Sequence, residues 1–329
     1  MKRCRFLLLV LAVAAMTTLS SLAGCAEVGA QGEMRTIVDG AGREVLIPVH
    51  VERAVSLVTG ITGIVYGVEG ADKLVGTTQA LPYPNYYYYP ETENLPDVGS
   101  IANVDVEAVV ALEPDVVFTT QFFVNQAQSV EDRGIPVVAI RTDTLADLTW
   151  NVRFVGSVLG QEEEAANLAG EMESKLSLIG ERTQGLGDER PLVYVEGSRM
   201  TTYGASTYCN ESIVRAGGVN VYGDSAVKMP GTNSEYVLER DPAYILIFDV
   251  ARDQESFVAT ARERIDEMSN RAGWGSIDAI ANGRICVIEN RYLNFGPDHP
   301  DSVVAMGKFL HPELFEDMVM PDYAYVEGA

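Results

Sequence analysis

Residues 161–185 read QEEEAANLAGEMESKLSLIGERTQG. Ala165, Leu168, Ala169, Met172, Leu176 and Ile179 recur at helical spacing, while Glu162, Glu163, Glu164, Glu171, Glu173 and Lys175 take the other faces. At 1.5 Å per residue such a helix spans about 36 Å, longer than is usual in globular domains. Gly160 precedes it, and a polar run from Gly185 to Pro191 follows it. On either side lies a strand-helix-strand segment of similar size. The helix is therefore either a strut joining two lobes or a crossover within one large sheet.

Working outward, the two flanks share a pattern. Glu107 stands seven residues before Pro114, and Glu235 seven before Pro242. Each glutamate opens a short helix, each proline ends it, and an apolar strand follows: residues 115–119 in one case and 243–248 in the other. Each unit is followed by a helix and a further apolar strand, at residues 137–140 and 284–288. This repetition predicts two related α/β lobes with central sheets, bridged by the long helix, with a ligand cleft between them. The expected division is residues 34–143 for the first lobe, 144–186 for the linking helices (strut at 161–185) and 187–329 for the second lobe.

Upstream, Lys2, Arg3 and Arg5 precede an apolar run from Phe6 to Met16. The run is too short to span a bilayer securely and reads as a signal peptide over residues 1–24. It ends in Leu22-Ala23-Gly24-Cys25, which resembles a lipobox. That likeness implies cleavage before Cys25 and lipidation of its thiol, with residues 25–33 as a tether.

The first lobe opens with a hairpin at 36–47 closed by Pro48. The strand at 54–58 runs into Thr59-Gly60-Ile61-Thr62-Gly63, where backbone N–H groups and hydroxyls meet at a helix N-terminus. That turn suits an anionic or polar ligand, and equally suits simple N-capping. A Pro-bounded loop then carries Tyr83 and Tyr86 to Tyr89. It is either a partly exposed loop packed on its own lobe or an aromatic wall of the cleft. Helices are expected over 104–112, 123–132 and 145–159, and in the second lobe from Asn210 and from Asn233.

Loops at the strand ends would line the cleft. Their polar and aromatic members are the ligand-binding candidates: Thr59, Thr78, Gln79, Tyr83, Gln121, Arg199, Tyr203, Met229, Arg291 and Asn294. Three histidines are too few for a His-rich zinc or manganese site. His299 reads as a solvated loop residue, or alternatively as a ligand to metal or haem iron. Met229 is an apolar cap, a haem ligand or a gap filler. Cys209 and Cys286 read as buried core thiols rather than a disulfide. No GxSxG, HExxH, GxxxxGK[ST] or GxGxxG is present, so no enzyme is expected. Net charge is −23, and the first 24 residues hold three bases and no acid, so the remainder is more acidic still. Such a surface disfavours nucleic acid and anionic headgroups.

Together, several short stretches resemble the solute-binding lipoproteins of ABC importers for iron-siderophore complexes, haem and cobalamin. They are Asp39-x-x-Gly42-Arg43-Glu44-Val45, residues 52–57, residues 106–115, Gly217-Gly218-Val219-Asn220, Ser234-Glu235 and Trp274 ahead of Ala281-Asn282-Gly283-Arg284. The resemblance runs from Thr36 to about Phe315. It implies two lobes bridged by one helix with little hinge motion, an extracytoplasmic location and a monomer. It also implies permease-docking glutamates, here Glu107 and Glu235. The implied partners are an ABC permease with its ATPase, a small-molecule metal chelate, and the membrane through the lipid anchor only. No cofactor of its own is implied; the ligand would be an iron chelate, haem or a corrinoid. The alternatives are an extracytoplasmic enzyme or a structural lipoprotein on the same scaffold. Where cobalamin binders carry a Trp before the Pro of the second lobe's loop, this chain has Met229.

Overall fold

The structure is a computed structural model. It describes residues 32–79, 89–197, 200–249, 254–289, 293–320 and 325–328. The proposed signal peptide, Cys25, Tyr83, Arg199 and Arg291 lie outside the described residues, as does the tyrosine tract apart from Tyr89.

Strands β1 (Met34–Val38) and β2 (Glu44–Pro48) form the expected antiparallel hairpin. Its turn is fixed by Asp39, whose buried carboxylate accepts from the Ala41 and Arg43 amides and from the Arg43 guanidinium. The first sheet then forms from β3 (Ala54–Ser56), β4 (Leu74–Thr77), β7 (Val116–Thr120) and β8 (Val137–Ile140). Its order is β4-β3-β7-β8, and every pairing is parallel. Interleaved are α1 (Thr59–Gly67), the two-residue strands β5 (Gly99–Ser100) and β6 (Asn103–Val104), α2 (Val106–Ala111) and α3 (Gln128–Glu131). Strands β7 and β8 are buried along their whole length, as parallel strands covered on both faces are.

Helix α4 (Leu145–Leu159) starts at a reciprocal capping box between Thr144 and Asp147 and stops at Gly160, whose φ of 73° is left-handed. Helix α5 (Glu162–Thr183) is the long helix. Three glutamates in its first turn and Arg182 in its last suit the helix dipole. The second lobe follows: β9 (Leu192–Glu196), α6 (Tyr208–Arg215), β10 (Val219–Asn220), α7 (Ser234–Arg240), β11 (Tyr244–Asp249), α8 (Gln254–Ser269), α9 (Asp278–Ala281), β12 (Ile285–Glu289), α10 (His299–Leu310) and β13 (Tyr325–Glu327). The sheet order is β10-β9-β11-β12-β13, parallel except for the edge strand β13.

The packing of α5 decides between strut and crossover. Ala165, Ala169 and Met172 belong to one core with Ile61, Phe118 and Leu148. Four residues beyond Met172, Leu176 and then Ile179 belong to another core with Val193, Leu246 and Cys286. One helix thus contributes its first half to one lobe and its second half to the other. It joins two sheets rather than two strands of one sheet.

The repeat is also visible in the backbone. Asp105 caps α2 by accepting from Ala108 N–H, and Asn233 caps α7 by accepting from Tyr236 N–H. In both helices the glutamate follows its cap by two residues. In both, a left-handed residue precedes the proline: Glu113 (φ 44°) and Asp241 (φ 46°). The strand orders β4-β3-β7-β8 and β10-β9-β11-β12 correspond position by position.

Some expectations need correction. The helix expected over 104–112 starts only at Val106, because Asp105 serves as its cap and Val104 pairs in β6. The helix expected over 123–132 is a 3-10 turn at Val124–Ala127 followed by α3. His299 is not in a loop; it opens α10 with Pro300 in the first turn, a position that needs no donated amide. Cys209 and Cys286, by contrast, are the buried free thiols expected, and burial pushes both thiols well up.

Candidate functional site: the inter-lobe cleft

In an open parallel sheet, ligands sit at the carboxyl ends of the strands where the strand order reverses direction. The first sheet reverses between β3 and β7, and the second between β9 and β11. Thr59 follows β3 and Gln121 follows β7, so both stand at the first lobe's reversal point. Gly197 follows β9 at the second.

On the first lobe, a buried hydroxyl network supports this edge. Thr62 Oγ1 donates to Ser56 Oγ (3.0 Å) and lies 3.1 Å from Thr77 Oγ1. Ser56 Oγ donates to the Val58 carbonyl at 2.9 Å. These bonds hold the β3–α1 turn. The first three amides of α1, at Thr59, Gly60 and Ile61, have no intrahelical acceptor because of their position. The lobes meet closely at Gly60, where a Cβ would come within 2.9 Å of the Phe295 backbone. Glycine is required there by the approach itself.

On the second lobe, residues 200–204 and 228–232 run side by side. Thr202 N–H donates to the Pro230 carbonyl, Thr232 N–H to Met200 and Gly204 N–H to Lys228, all at 2.8–3.0 Å. This register sets Tyr203 opposite Met229. The Tyr203 ring also packs on Phe248, with centroids 5.5 Å apart. Met229 is 56% exposed. From this arm Lys228 crosses to the first lobe and ion-pairs with Asp143. Its ammonium stands 4.8 Å from the Phe122 ring centroid. Gln121 Nε2 donates to the other oxygen of Asp143 at 2.9 Å. A second bridge lies nearby, where Leu145 N–H at the start of α4 donates to Glu211 of α6 (2.7 Å).

The periplasmic binding protein family model matches residues 55–292. The chain belongs to that family. The molybdate-binding protein MolA of Haemophilus influenzae is 26% identical over 314 residues, covering 86% of this chain and 87% of MolA. The molybdate-bound MolA structure superposes with a TM-score of 0.72 at 24% identity, over 86% of this chain and 93% of that one. A vitamin B12-binding protein of Vibrio parahaemolyticus is 21% identical over 226 residues, covering 68% of this chain and 80% of its own length. A periplasmic heme binding protein from Pseudomonas aeruginosa shares the fold with a TM-score of 0.70 at 20% identity, over 85% of this chain and 98% of that one.

Periplasmic binding proteins of this kind are the substrate-binding components of ABC importers, not enzymes. Against that frame the candidate residues separate. Thr59, Gln121, Tyr203 and Met229 lie on segments flanking the cleft, and half-buried Asn294 immediately precedes Phe295. Thr78 is 7% exposed, with its amide donating to the Ser56 carbonyl. Gln79 uses its side-chain amide on the Thr92 carbonyl (2.7 Å) and so braces its own lobe. Asp143, Phe122 and Lys228 were not among the named candidates, although their positions after β8, after β7 and in the 228–229 loop pointed toward the cleft.

His299 is fully buried. Its Nε2 lies 2.9 Å from Ser212 Oγ, which donates to the Tyr208 carbonyl. Its ring meets Tyr208 edge-on at 5.2 Å. Neither of its nitrogens faces open solvent, so it is not placed to ligate a metal or haem without repacking. Burial lowers its pKa to about 4, against the opposing effect of the Leu293 and Asn294 backbone. Neither carbonyl reaches hydrogen-bonding geometry with Nδ1. The unfolded chain therefore binds this proton first as pH falls. Stability from neutral His299 is intact above about 6.5 and is lost toward pH 4, by roughly 3 kcal/mol in all. Urea unfolding of wild type and His299→Gln at pH 7 and 4.5 checks this: the pH sensitivity should shrink in the variant. Equal sensitivity in both would remove His299 as its source.

Glu107 and Glu235 occupy the first turns of α2 and α7, and both are exposed. Glu107 pairs with Arg133 at 2.7 Å. A separate groove of about 700 Å³ runs along α5 and α6, lined in part by Ser177, Glu181, Arg190 and Arg215, and includes none of the cleft candidates. Among the described residues no cluster of three His, Cys, Asp or Glu side chains could hold a metal, and no helix is long and apolar enough to cross a membrane.

Proposed function

We propose that this chain is the lipid-anchored, extracytoplasmic binding component of an ABC importer and that its cargo is a metal-containing solute: a ferric siderophore, haem or a corrinoid. The observation that carries this reading is the pair of corresponding sheets joined by α5, whose two halves belong to the two cores. The ligands named for the relatives, molybdate, vitamin B12 and heme, each contain a metal, which supports a metal-containing cargo. Cys25 would carry the lipid, residues 25–33 the tether, and Glu107 and Glu235 the contacts to the permease and its ATPase complex. The partition into residues 34–143, 144–186 and 187–329 belongs to the same proposal; α4 and the first half of α5 pack into the first lobe's core, and the second half of α5 into the other.

A second reading, a compact metal oxyanion, is favoured by one feature. The free amides of α1 stand at the strand-order reversal on a turn held by Ser56 and Thr62. Calorimetric titration with haemin, cyanocobalamin, a ferric hydroxamate and molybdate separates the two. One saturable site for a chelate supports the first; saturation by molybdate alone supports the second. For the anchor, Cys25→Ser is expected to release the protein from membranes, and continued sedimentation with them would exclude lipidation at this residue.

A further inference from the structure

We propose that Lys228 is the anion-recognising residue of the cleft rim, held on Asp143 in the unliganded protein until a carboxylate or oxyanion of the cargo takes its place. The proposal rests on the cleft's role in binding cargo and adds the chemical class of group that one wall selects.

Three observations carry it. First, Lys228 is built into the cleft. Its carbonyl accepts from Gly204 N–H at 2.8 Å, and the paired arms at 200–204 and 228–232 fix where its side chain starts. Second, its ammonium is shared between lobes, ion-paired with Asp143 and set 4.8 Å from the Phe122 ring. Asp143 is itself oriented by Gln121. Third, neither charge is deeply buried: the side chains are 44% and 39% exposed.

The exposure decides the energetics. A half-exposed ion pair contributes little to stability, so transferring the ammonium to a cargo anion costs little. Asp143 would keep its hydrogen bond from Gln121 and regain water. A charged hydrogen bond to the cargo contributes more, about 1.5–3 kcal/mol when water is excluded. The exchange is therefore favourable for an anionic cargo and gains nothing for a neutral one. The chain as a whole is strongly acidic, with a net charge of −23. A cation at the rim therefore offsets a field that otherwise repels anions. Phe122, at 54% exposed, and Met229, at 56%, supply apolar surface beside the ammonium.

The test uses the full chain with Lys228→Met and Asp143→Asn, both at exposed positions where folding is not at stake. The probes are haemin and molybdate as anions, and a neutral ferric trihydroxamate as a cargo without a free carboxylate or oxyanion. Lys228→Met is expected to weaken binding of the anionic probe about 10- to 100-fold, the loss of one charged hydrogen bond, and to leave the affinity for the neutral ferric hydroxamate unchanged. Asp143→Asn keeps an acceptor for Gln121 but releases the ammonium, so anion affinity should rise. In the unliganded protein, the rate of Lys228 acylation, read by mass spectrometry, should be faster in Asp143→Asn than in wild type. Unchanged anion affinity in Lys228→Met overturns the inference, as does failure of every anionic probe to bind. Binding of cyanocobalamin or a ferric hydroxamate in that case leaves the cargo-binding reading intact, whereas failure of all probes removes both.

Discussion

Glu196→Ala is expected to lower the stability of the second lobe by about 3 kcal/mol, the low end of what removing one partner from a buried ion pair costs. Glu196 is the last residue of β9 and is fully buried. Its two oxygens accept from Arg271 at 2.6 and 2.9 Å, from Arg264 at 3.2 Å and from the Tyr194 hydroxyl at 2.9 Å. Burial, the largest single influence, would raise its pKa, but the bonds and charge of Arg271, the Tyr194 hydroxyl and the Arg264 charge together hold the carboxyl below its ordinary range. Without the carboxylate, Arg271 remains only 13% exposed, though it keeps Glu267 at 2.7 Å. That residual partner is why the low end applies. Glu196→Gln preserves shape and the acceptor for Tyr194, so its effect should be roughly half as large. Trp274 reports on the site directly. It lies 4.6 Å from the Arg271 guanidinium and packs edge-on to Tyr194 at 5.6 Å. Urea unfolding followed by Trp274 fluorescence in a Trp150→Phe background measures the change. A midpoint shared by Glu196→Ala and its parent would mean that the network contributes nothing. The network also matters to the cleft, because Glu196 directly precedes Gly197 and the arm that leads to Tyr203.

Reversing the two glutamates proposed to dock the permease, Glu107→Arg with Glu235→Arg, is expected to abolish import while cargo affinity survives. Each removed and reversed charge forfeits a charged contact of about 2–5 kcal/mol, so the double variant should lose a thousandfold or more in productive docking. Cargo affinity should survive because the two side chains sit in the first turns of α2 and α7, apart from the segments that carry Gln121, Tyr203 and Met229. Arg133 already pairs with Glu107, so a permease arginine must displace it there. The side chains are 48% and 78% exposed, which makes that displacement inexpensive. Uptake in cells and calorimetry on the purified variant test the two halves of the expectation. Parallel loss of uptake and affinity would refute their separation.

Much of the fold was legible in the sequence because its signals are local. The apolar stripe of α5 and the stop at Gly160 each act within a few residues. The Glu-to-Pro spacing repeats because both lobes use the same cap, glutamate and left-handed residue before proline. The site was less legible because its contacts are remote. Lys228 and Asp143 are 85 residues apart, and Arg271 and Glu196 are 75 apart. Gln79 stood at a strand end yet turned to Thr92, a direction that no spacing encodes. His299 looked like a loop residue beside Pro300, although proline in a helix's first turn is favourable. Its burial comes from Tyr208 and Ser212, nearly ninety positions away.

The central claim is that the cleft carries a metal-containing cargo. Native mass spectrometry with absorbance of protein purified from cells that produce it tests this most directly. One metal-containing solute retained per chain is the expected result, with a Soret or corrinoid band where the solute is haem or a corrinoid. A chain that retains nothing, binds none of the four titrated probes and instead turns over a substrate would contradict it.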